Sequence, residues 1–520
     1  MANNLGKILL VALSSLGASV ILGTQLLKPV TAESPDGPFN VVQSGDVTST
    51  SAVIWGRNDQ PGEMLVELST SADFKDATIY QGPGVGPETD YTGKVWVRGL
   101  LANTKYYYRV SFQNFANNKV SKVAGGVGSF GTAPVPEDAR SVRFIWGADI
   151  AGQGWGRNPD LEITAFDGET IKGGFVFAEV MGKLKPDFAV FSGDIIYADN
   201  AIPPEKEIPS EVGGGIWVNE PAKDFRAVTV DEFRANWKYN LGDQKFSNFL
   251  LKTPVYAQWD DHEVVNNWYP GEIITEEPYN GISADVLAER SKKALLEYNP
   301  IGGETIYRKF QHGKHLEVFL LDERSFRGPN FNNSEPFLEM LGENQFSWLK
   351  ESLENSTATW KVIATHDPLS IVTGGEGDRD SWGQGDPKVL GREAQLAQLL
   401  SFIKEKKIKN VVYISADVHF AAAIKYDPER AVFKDFNPFY EFVIGPIHAG
   451  VFGPGELDPS FGSEYEFVRG PGLVGIPAAS PPPNLHSFGS AEVDEAGKLT
   501  VYIHDLTGEV LYQQELTPKK

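Results

Sequence analysis

An α/β layered domain preceded by an all-β sandwich is the fold that the sequence predicts, and three observations carry the prediction. From about residue 39 to 132, short runs such as Ala52-Val53-Ile54-Trp55 and Tyr106-Tyr107-Tyr108-Arg109-Val110 alternate with Gly, Asn, Asp and Pro, without a helical period of useful length. Beyond residue 140, apolar strand-like runs alternate with helix-like ones, the grammar of a layered α/β domain. Six of those strand-like runs give way to titratable residues at their C-terminal ends, the sheet edge where α/β folds gather their sites.

Length and composition bound the rest. At 520 residues the chain exceeds one ordinary domain, and with 41% hydrophobic and 22% charged residues its composition is that of a folded globular protein. A formal charge of −22 argues against duplex nucleic acid as a partner, because phosphate-backbone affinity comes from clustered Lys and Arg. The absence of cysteine excludes disulfides, thiolate zinc sites and cysteine nucleophiles. Residues 1–32 have the form of a secretory signal: Lys7 as the charged start, Ile8 to Leu22 as the apolar stretch, and Val30-Thr31-Ala32 as a small-residue cleavage site. The alternative is an uncleaved anchor reaching Leu27, but Ser and Gly interrupt a run already short for a membrane span. An exported monomer, periplasmic, extracellular or at the cell surface, is the expectation.

Taken in order, residues 37–133 form the sandwich. Trp55 on an early strand and the Leu100 to Tyr108 stretch resemble a fibronectin type III module, in which a buried tryptophan and a late tyrosine tie two sheets together. No ligand-type residues cluster there, so this unit is expected to be a spacer or a wall for its neighbour. Gly131-Thr132-Ala133-Pro134-Val135-Pro136 makes a short stiff linker. In residues 140–520 the runs Val142 to Trp146, Phe188 to Phe191, Val255 to Trp259, Leu316 to Leu321, Val362 to Thr365 and Val411 to Ser415 read as strands. Helices are expected over Ala284 to Tyr298, Gln345 to Leu353 and Glu393 to Ile403, and a closing meander over Leu499 to His504 and Val510 to Leu516.

The residues that follow the strands carry the chemistry. In SGDIIYAD, residues 192–199, Asp194 and Tyr197 let one turn aim a carboxylate and a phenol at one point, which suits a hard metal ion. Asp149, Asp261, Asn266 or Asn267, His366, Asp417 and His419 are further candidate ligands, too many for one ion. A carboxylate such as Asp194 is able to bridge two ions, and two-metal sites stabilise both attacking and leaving oxygens of an in-line phosphoryl displacement. Mixed carboxylate, amide, imidazole and phenol donors fit that use better than a structural zinc site.

The order Asp149, GDIIY, WDDHEVVNNW, His366 and SADVH resembles the PhoD-type alkaline phosphatases, within the calcineurin-like metallophosphoesterases. The likeness continues through Leu321 to Arg327, Gly342 to Trp348 and Phe442 to Gly450, and so spans nearly all of 140–520. It implies a two-sheet catalytic domain behind the fibronectin-like sandwich, and a metal-dependent phosphomonoesterase or phosphodiesterase with an alkaline optimum, acting on a small phosphoester through a metal-activated water. It also implies Fe(III) held by Asp149, Asp194, Tyr197 and His419. Asp194 would bridge to a divalent ion, Ca, Zn or Mn, held by Asn266, His366 and Asp417, with Asp261 close by. His262 is implied as the group that orients phosphate or protonates the leaving alkoxide. Arg324 and Arg327 are candidate clamps for the phosphate oxygens, with Arg157 a lesser one. Two departures stand out: relatives commonly place cysteine where this chain has Asp149, and the N-terminus lacks the twin arginines of some relatives. A phospholipid head-group phosphodiesterase of the same fold, and a catalytically silent binding protein, are the competing expectations.

Overall fold

The computed structural model describes residues 29–31, 41–121, 124–152, 157, 161–208, 215–218, 223–331, 333–375, 377–471 and 485–519. Two large sheets face each other. The first runs, in spatial order, Val510–Leu516, Leu499–Asp505, Ser487–Val493, Val142–Gly147, Phe188–Phe191, Val255–Ala257, Val42–Gly45, Ser51–Arg57 and Thr92–Arg98. The second runs Arg308–His312, Leu316–Leu320, Trp360–Ala364, Val411–Ser415, Phe439–Val443, Ala421–Tyr426 and Ser463–Arg469. The strands expected to end in ligands are parallel within each sheet: 142–147, 188–191 and 255–257 in one, and 316–320, 360–364 and 411–415 in the other.

Alternation along these strands builds the layers. Phe144, Trp146, Phe188 and Val190 of the first sheet meet Val318, Leu320, Val362, Ile414 and Phe442 of the second in a buried core. The intervening residues Ile145, Ala189 and Phe191 turn outward under the helices Val176–Lys183, Val230–Leu241, Gln244–Lys252 and Ala284–Tyr298. Phe319, Ile363 and Tyr413 do the same under Gly342–Asn355 and Gly391–Glu405. The helix at 284–298 forms over the expected residues, opened by the Ser283 side chain accepting from the Asp285 N–H and closed before Pro300. The closing meander is likewise present, at 499–505 and 510–516.

The sandwich differs from expectation in two respects. First, it is no detached spacer: its strand Val42–Gly45 pairs with Val255–Ala257 through Gly45 and Val255, making its Ser51–Arg57 and Thr92–Arg98 strands part of the catalytic sheet. Secondly, Trp55 does not tie the two sandwich sheets together. It points the other way, donating from Nε1 to the Glu297 carbonyl at 2.5 Å with its ring 5.9 Å from Tyr298, so it locks the sandwich to helix 284–298. The sandwich's own core is Ile54, Met64, Val66, Tyr108, Val110 and Phe130. Tyr106 does act as a corner, its hydroxyl accepting from the Leu101 N–H at 2.9 Å.

Residues 1–28 and 32 of the expected signal lie outside the described residues, while Pro29–Thr31 pairs with Gly215–Val218. No helix among the described residues is long and apolar enough to cross a membrane.

Candidate metal centre

All six strand ends open toward one another between the two sheets. Asp149, Asp194 and His419 place a ligand atom each within 4.8 Å of one another, although the first two come from one sheet and the third from the other. Tyr197 joins them, with its hydroxyl 2.8 Å from His419 Nε2. The His419 Nδ1–H donates to the Gly450 carbonyl at 2.5 Å, which fixes the tautomer and leaves the Nε2 lone pair facing the cluster. Asp194, Asp261 and His262 form a second group, and Asp260, Asp261 and Asp417 a third that again spans both sheets.

The backbone here is held where side-chain residues rarely go. Asp149, Asp194, Asp417 and His419 have φ of 63°, 53°, 66° and 58°, a strain of the order of 1 kcal/mol each that persists only where the surroundings dictate it. Glycines make room for the turns: a Cβ at Gly445, at φ +130°, would stand 2.2 Å from Asp149 Oδ2, and one at Gly193, at φ +91°, 2.5 Å from the Asp260 Cβ.

Buried glutamates hold the turns in place. Glu263 accepts from the backbone N–H groups of Asp260, Asp194, Ile195 and Ile196 at 2.7, 2.9, 2.7 and 3.3 Å. Burial pushes its carboxyl up to about 7 while these donors pull the other way. Glu323 does the same across the cleft, accepting from the His366 and Asp367 N–H groups and from Trp382 Nε1. Neither glutamate is anticipated as an organiser by the sequence, since WDDHE and LDER only mark them as polar residues after a strand.

Electrostatics separates places for a cation from places already neutralised. Asp149 is fully buried and neither carboxylate oxygen has a hydrogen-bond partner. Burial first, then neighbouring carboxylates, push Asp149, Asp194 and Asp417 well above the usual carboxylate range. Tyr197 is driven well above the usual phenol range by burial and then by Asp194 and Asp149. A cation bound beside Asp149, Asp194 and Tyr197 would relieve those three at once, a second beside Asp261 and Asp417 would relieve Asp417, and the donor set of carboxylate, phenol and imidazole suits such ions. Asp260, Asp367 and Asp380 are different, because two arginines already lie among them. Arg324 donates to Asp260 at 2.5 Å and to both Asp380 oxygens at 2.9 and 2.8 Å; Arg327 donates to Asp380 and Asp367 at 2.8 and 2.9 Å.

The geometry revises the roles expected of several residues. Arg324 and Arg327 are buried with their guanidinium groups spent on carboxylates, so they brace the cleft instead of clamping phosphate. His366 sits beside the network: its Nε2 accepts from the Glu323 N–H at 2.9 Å, while its buried Nδ1, without a hydrogen-bond partner and 3.0 Å from Asp260, groups with Asp260 and Asp367 as a further place able to hold an ion. Asn266 is exposed and meets the cleft through its backbone N–H, which donates to Asp199 at 2.8 Å; the Asn267 N–H donates to Asp261 at 2.6 Å. Arg157 donates to the Tyr239 carbonyl at 2.9 Å and stacks on that ring. Asp380 escaped the sequence analysis because it follows no strand; it sits in a Gly-rich loop with no periodic signal.

His262 faces the cleft from the rim. Its Nδ1 meets Asp199 Oδ1 at 2.8 Å, its ring stacks on Tyr197 at 4.1 Å, and its backbone N–H donates to Asp194 at 3.1 Å. Burial alone would lower the imidazole, but Asp199 and then Asp261 raise it to about 10. Asp199, the last residue of SGDIIYAD, is therefore the orienting partner that the sequence contains but does not mark. The Gly445 to Phe452 stretch walls the other side, with Phe452, half exposed, stacked 4.8 Å from the His419 ring. Residues 472–484 lie outside the described residues.

Two facing sheets with acid- and histidine-bearing loops at their adjoining edge define a metallophosphoesterase-like fold. The chain superposes on a purple acid phosphatase from yellow lupin with a TM-score of 0.58 at 12% identity, covering 93% of this chain and 75% of that one. Residues 144–473 match the PhoD-like phosphatase family and residues 26–134 match the N-terminal domain of PhoD-like phosphatases; the chain belongs to this family and is a phosphoric ester hydrolase. It is 26% identical to alkaline phosphatase D of Bacillus subtilis (strain 168) over 454 residues, 79% of this chain and 70% of that protein. A solved structure of PhoD matches with a TM-score of 0.66 at 20% identity over 93% of both chains.

Proposed function

We propose that the protein is an exported, metal-dependent phosphatase that cleaves phosphomonoesters, phosphodiesters or both at a site of two or more ions. The observation that carries this is Asp149: a fully buried carboxylate with no hydrogen-bond partner, within ligand distance of Asp194 and His419. Asp149, Asp194, Tyr197 and His419 would hold one ion, and Asp194, Asp261 and Asp417 a second. A phenolate favours a hard trivalent ion such as Fe(III), and the all-oxygen second set favours Ca over Zn. Bound there, such ions supply an activated water and neutralise phosphate oxygens.

The chain's own residues do the rest. The Asp199-supported His262 imidazolium stands at the cleft rim to hold a phosphate oxygen or to give its proton to the departing alkoxide. Arg324 and Arg327 keep the acidic loops together so that their mutual repulsion does not open the cleft. Export rests on the signal-like residues 1–32, and N-terminal sequencing of the secreted protein checks it. Turnover of p-nitrophenyl phosphate and of its bis-ester by purified protein, compared with Asp194→Asn, tests the proposal. Loss of both activities together with metal in the variant is expected; undiminished turnover in the variant would refute it. The iron assignment has its own check, a visible tyrosinate band that Tyr197→Phe abolishes.

A further inference from the structure

At the opposite edge of the second sheet lies a cleft that the phosphatase chemistry does not use. It has a volume of about 450 Å³ and opens where strand Val411–Ser415 begins, beside the end of helix Gly391–Glu405 and the C-terminal tail. From Val411 to Asp417 the chain advances six residues, which in extended conformation is roughly 20 Å, so the cleft is separate from the metal centre. Its floor is apolar, formed by Ile403, Ile408, Val412 and Phe439 with Leu516 at the side. Asn410 pins the tail across the mouth, its side chain accepting from the Lys519 N–H at 2.8 Å and donating to the Lys519 carbonyl at 3.2 Å.

The mouth reverses the sign of the molecule. In a chain of net charge −22, the described residues lining this cleft include Lys404, Lys407, Lys409, Lys425 and Lys519 and no carboxylate side chain. Lys404 is paired with Asp435 at 3.1 Å and Lys425 approaches Glu466 at 3.8 Å. Lys407 and Lys519 have no carboxylate partner among the described residues. An open apolar cleft of this size lies in the range of small-molecule sites, where filling it with hydrocarbon gains the hydrophobic term that an empty cleft forgoes. Two cations without carboxylate partners at its rim specify the sign of what else the ligand carries.

We propose that this cleft binds a single-chain anionic amphiphile, a long-chain carboxylate whose tail lies over Ile408 and Phe439 and whose head meets Lys407 and Lys519. Titration calorimetry of the full-length, metal-loaded protein with laurate below its micellar concentration tests this, with butyrate and dodecyltrimethylammonium as controls. Butyrate shares the carboxylate and would report binding at the metal centre; dodecyltrimethylammonium shares the tail and carries the opposite charge. One-to-one, saturable laurate binding is expected, with neither control binding there. The exposed pair Lys407→Glu and Lys519→Glu together should weaken laurate at least tenfold and leave p-nitrophenyl phosphate turnover unchanged. Leu516→Trp, which fills the cleft from its side, should weaken it comparably. No saturable laurate binding, equal binding of the cationic amphiphile, or binding indifferent to the charge reversal would overturn the proposal.

Discussion

Asp149 shows how one side chain specifies a requirement on its surroundings. Two buried carboxylate oxygens without a donor cost several kcal/mol unless a cation or a proton meets them. His262 and Asp199 give a test of the proton-handling side. An imidazole raised to about 10 stays protonated at neutral pH, and activity that needs the imidazolium is lost as pH rises through that value. Asp199→Asn removes the largest raising influence, so the alkaline limb of the kcat/KM profile should move to lower pH, with kcat down about ten- to a hundredfold. An unmoved limb would show that His262 does not titrate in turnover. His312 gives a test away from the site. Burial lowers it to about 3, and its Nε2 lies 2.9 Å from a Tyr256 hydroxyl that donates onward to the Val47 carbonyl. With the folded value below the ordinary 6.5, its neutral form contributes stability that is present above pH 6.5 and lost as pH falls toward 3. Each unit of acidification in that window costs about 1.4 kcal/mol from this group alone. His312→Gln should therefore lie closer to the wild type in urea midpoint at pH 5 than at pH 7.5.

At the scale of elements, the loops after the strands matter more than the strands. Glu263 clamps the Asp194 turn through three N–H groups and its own turn through that of Asp260, and a glutamine there would turn an amide against donors. Glu263→Gln should lower stability by about 2–4 kcal/mol and reduce metal content, as read by thermal melts and elemental analysis. Much of this level was legible in the sequence. Helix 284–298 and the final meander follow from periodicity and from stop signals at Asn299-Pro300 and Asp505 to Gly508, and strand ends bearing Asp149, Asp194 and Asp417 are visible as apolar runs meeting acids. The helix at 230–241 carries a full capping box, Thr229 with Glu232, that a search for helix starts would have found. What was hidden is partner choice. Arg324, two residues after Asp322 in sequence, says nothing of Asp380, 56 residues away, and nothing near His366 in sequence says that its Nε2 accepts from the Glu323 N–H.

Over the whole molecule, the sandwich and the phosphatase domain act as one folding unit. Their sheets are continuous through Gly45 and Val255, Arg308 reaches across to Asp46 at 2.9 Å, and Trp55 seats on helix 284–298. Calorimetry should show a single unfolding transition, and Trp55→Ala should cost about 3–5 kcal/mol while lowering that one transition. Two resolved transitions, with only the first moved by the substitution, would contradict this. On the proposed function, the buried acids at the meeting edge of the two sheets hold the ions that hydrolysis requires. Elemental analysis of the purified wild type and Asp149→Asn, each paired with p-nitrophenyl phosphate turnover before and after chelation, tests it most directly. Two or more metal equivalents are expected in the wild type, at least one fewer in the variant, and activity that falls with metal and returns with it; full turnover by metal-free wild-type protein would overturn the metal-dependent reading.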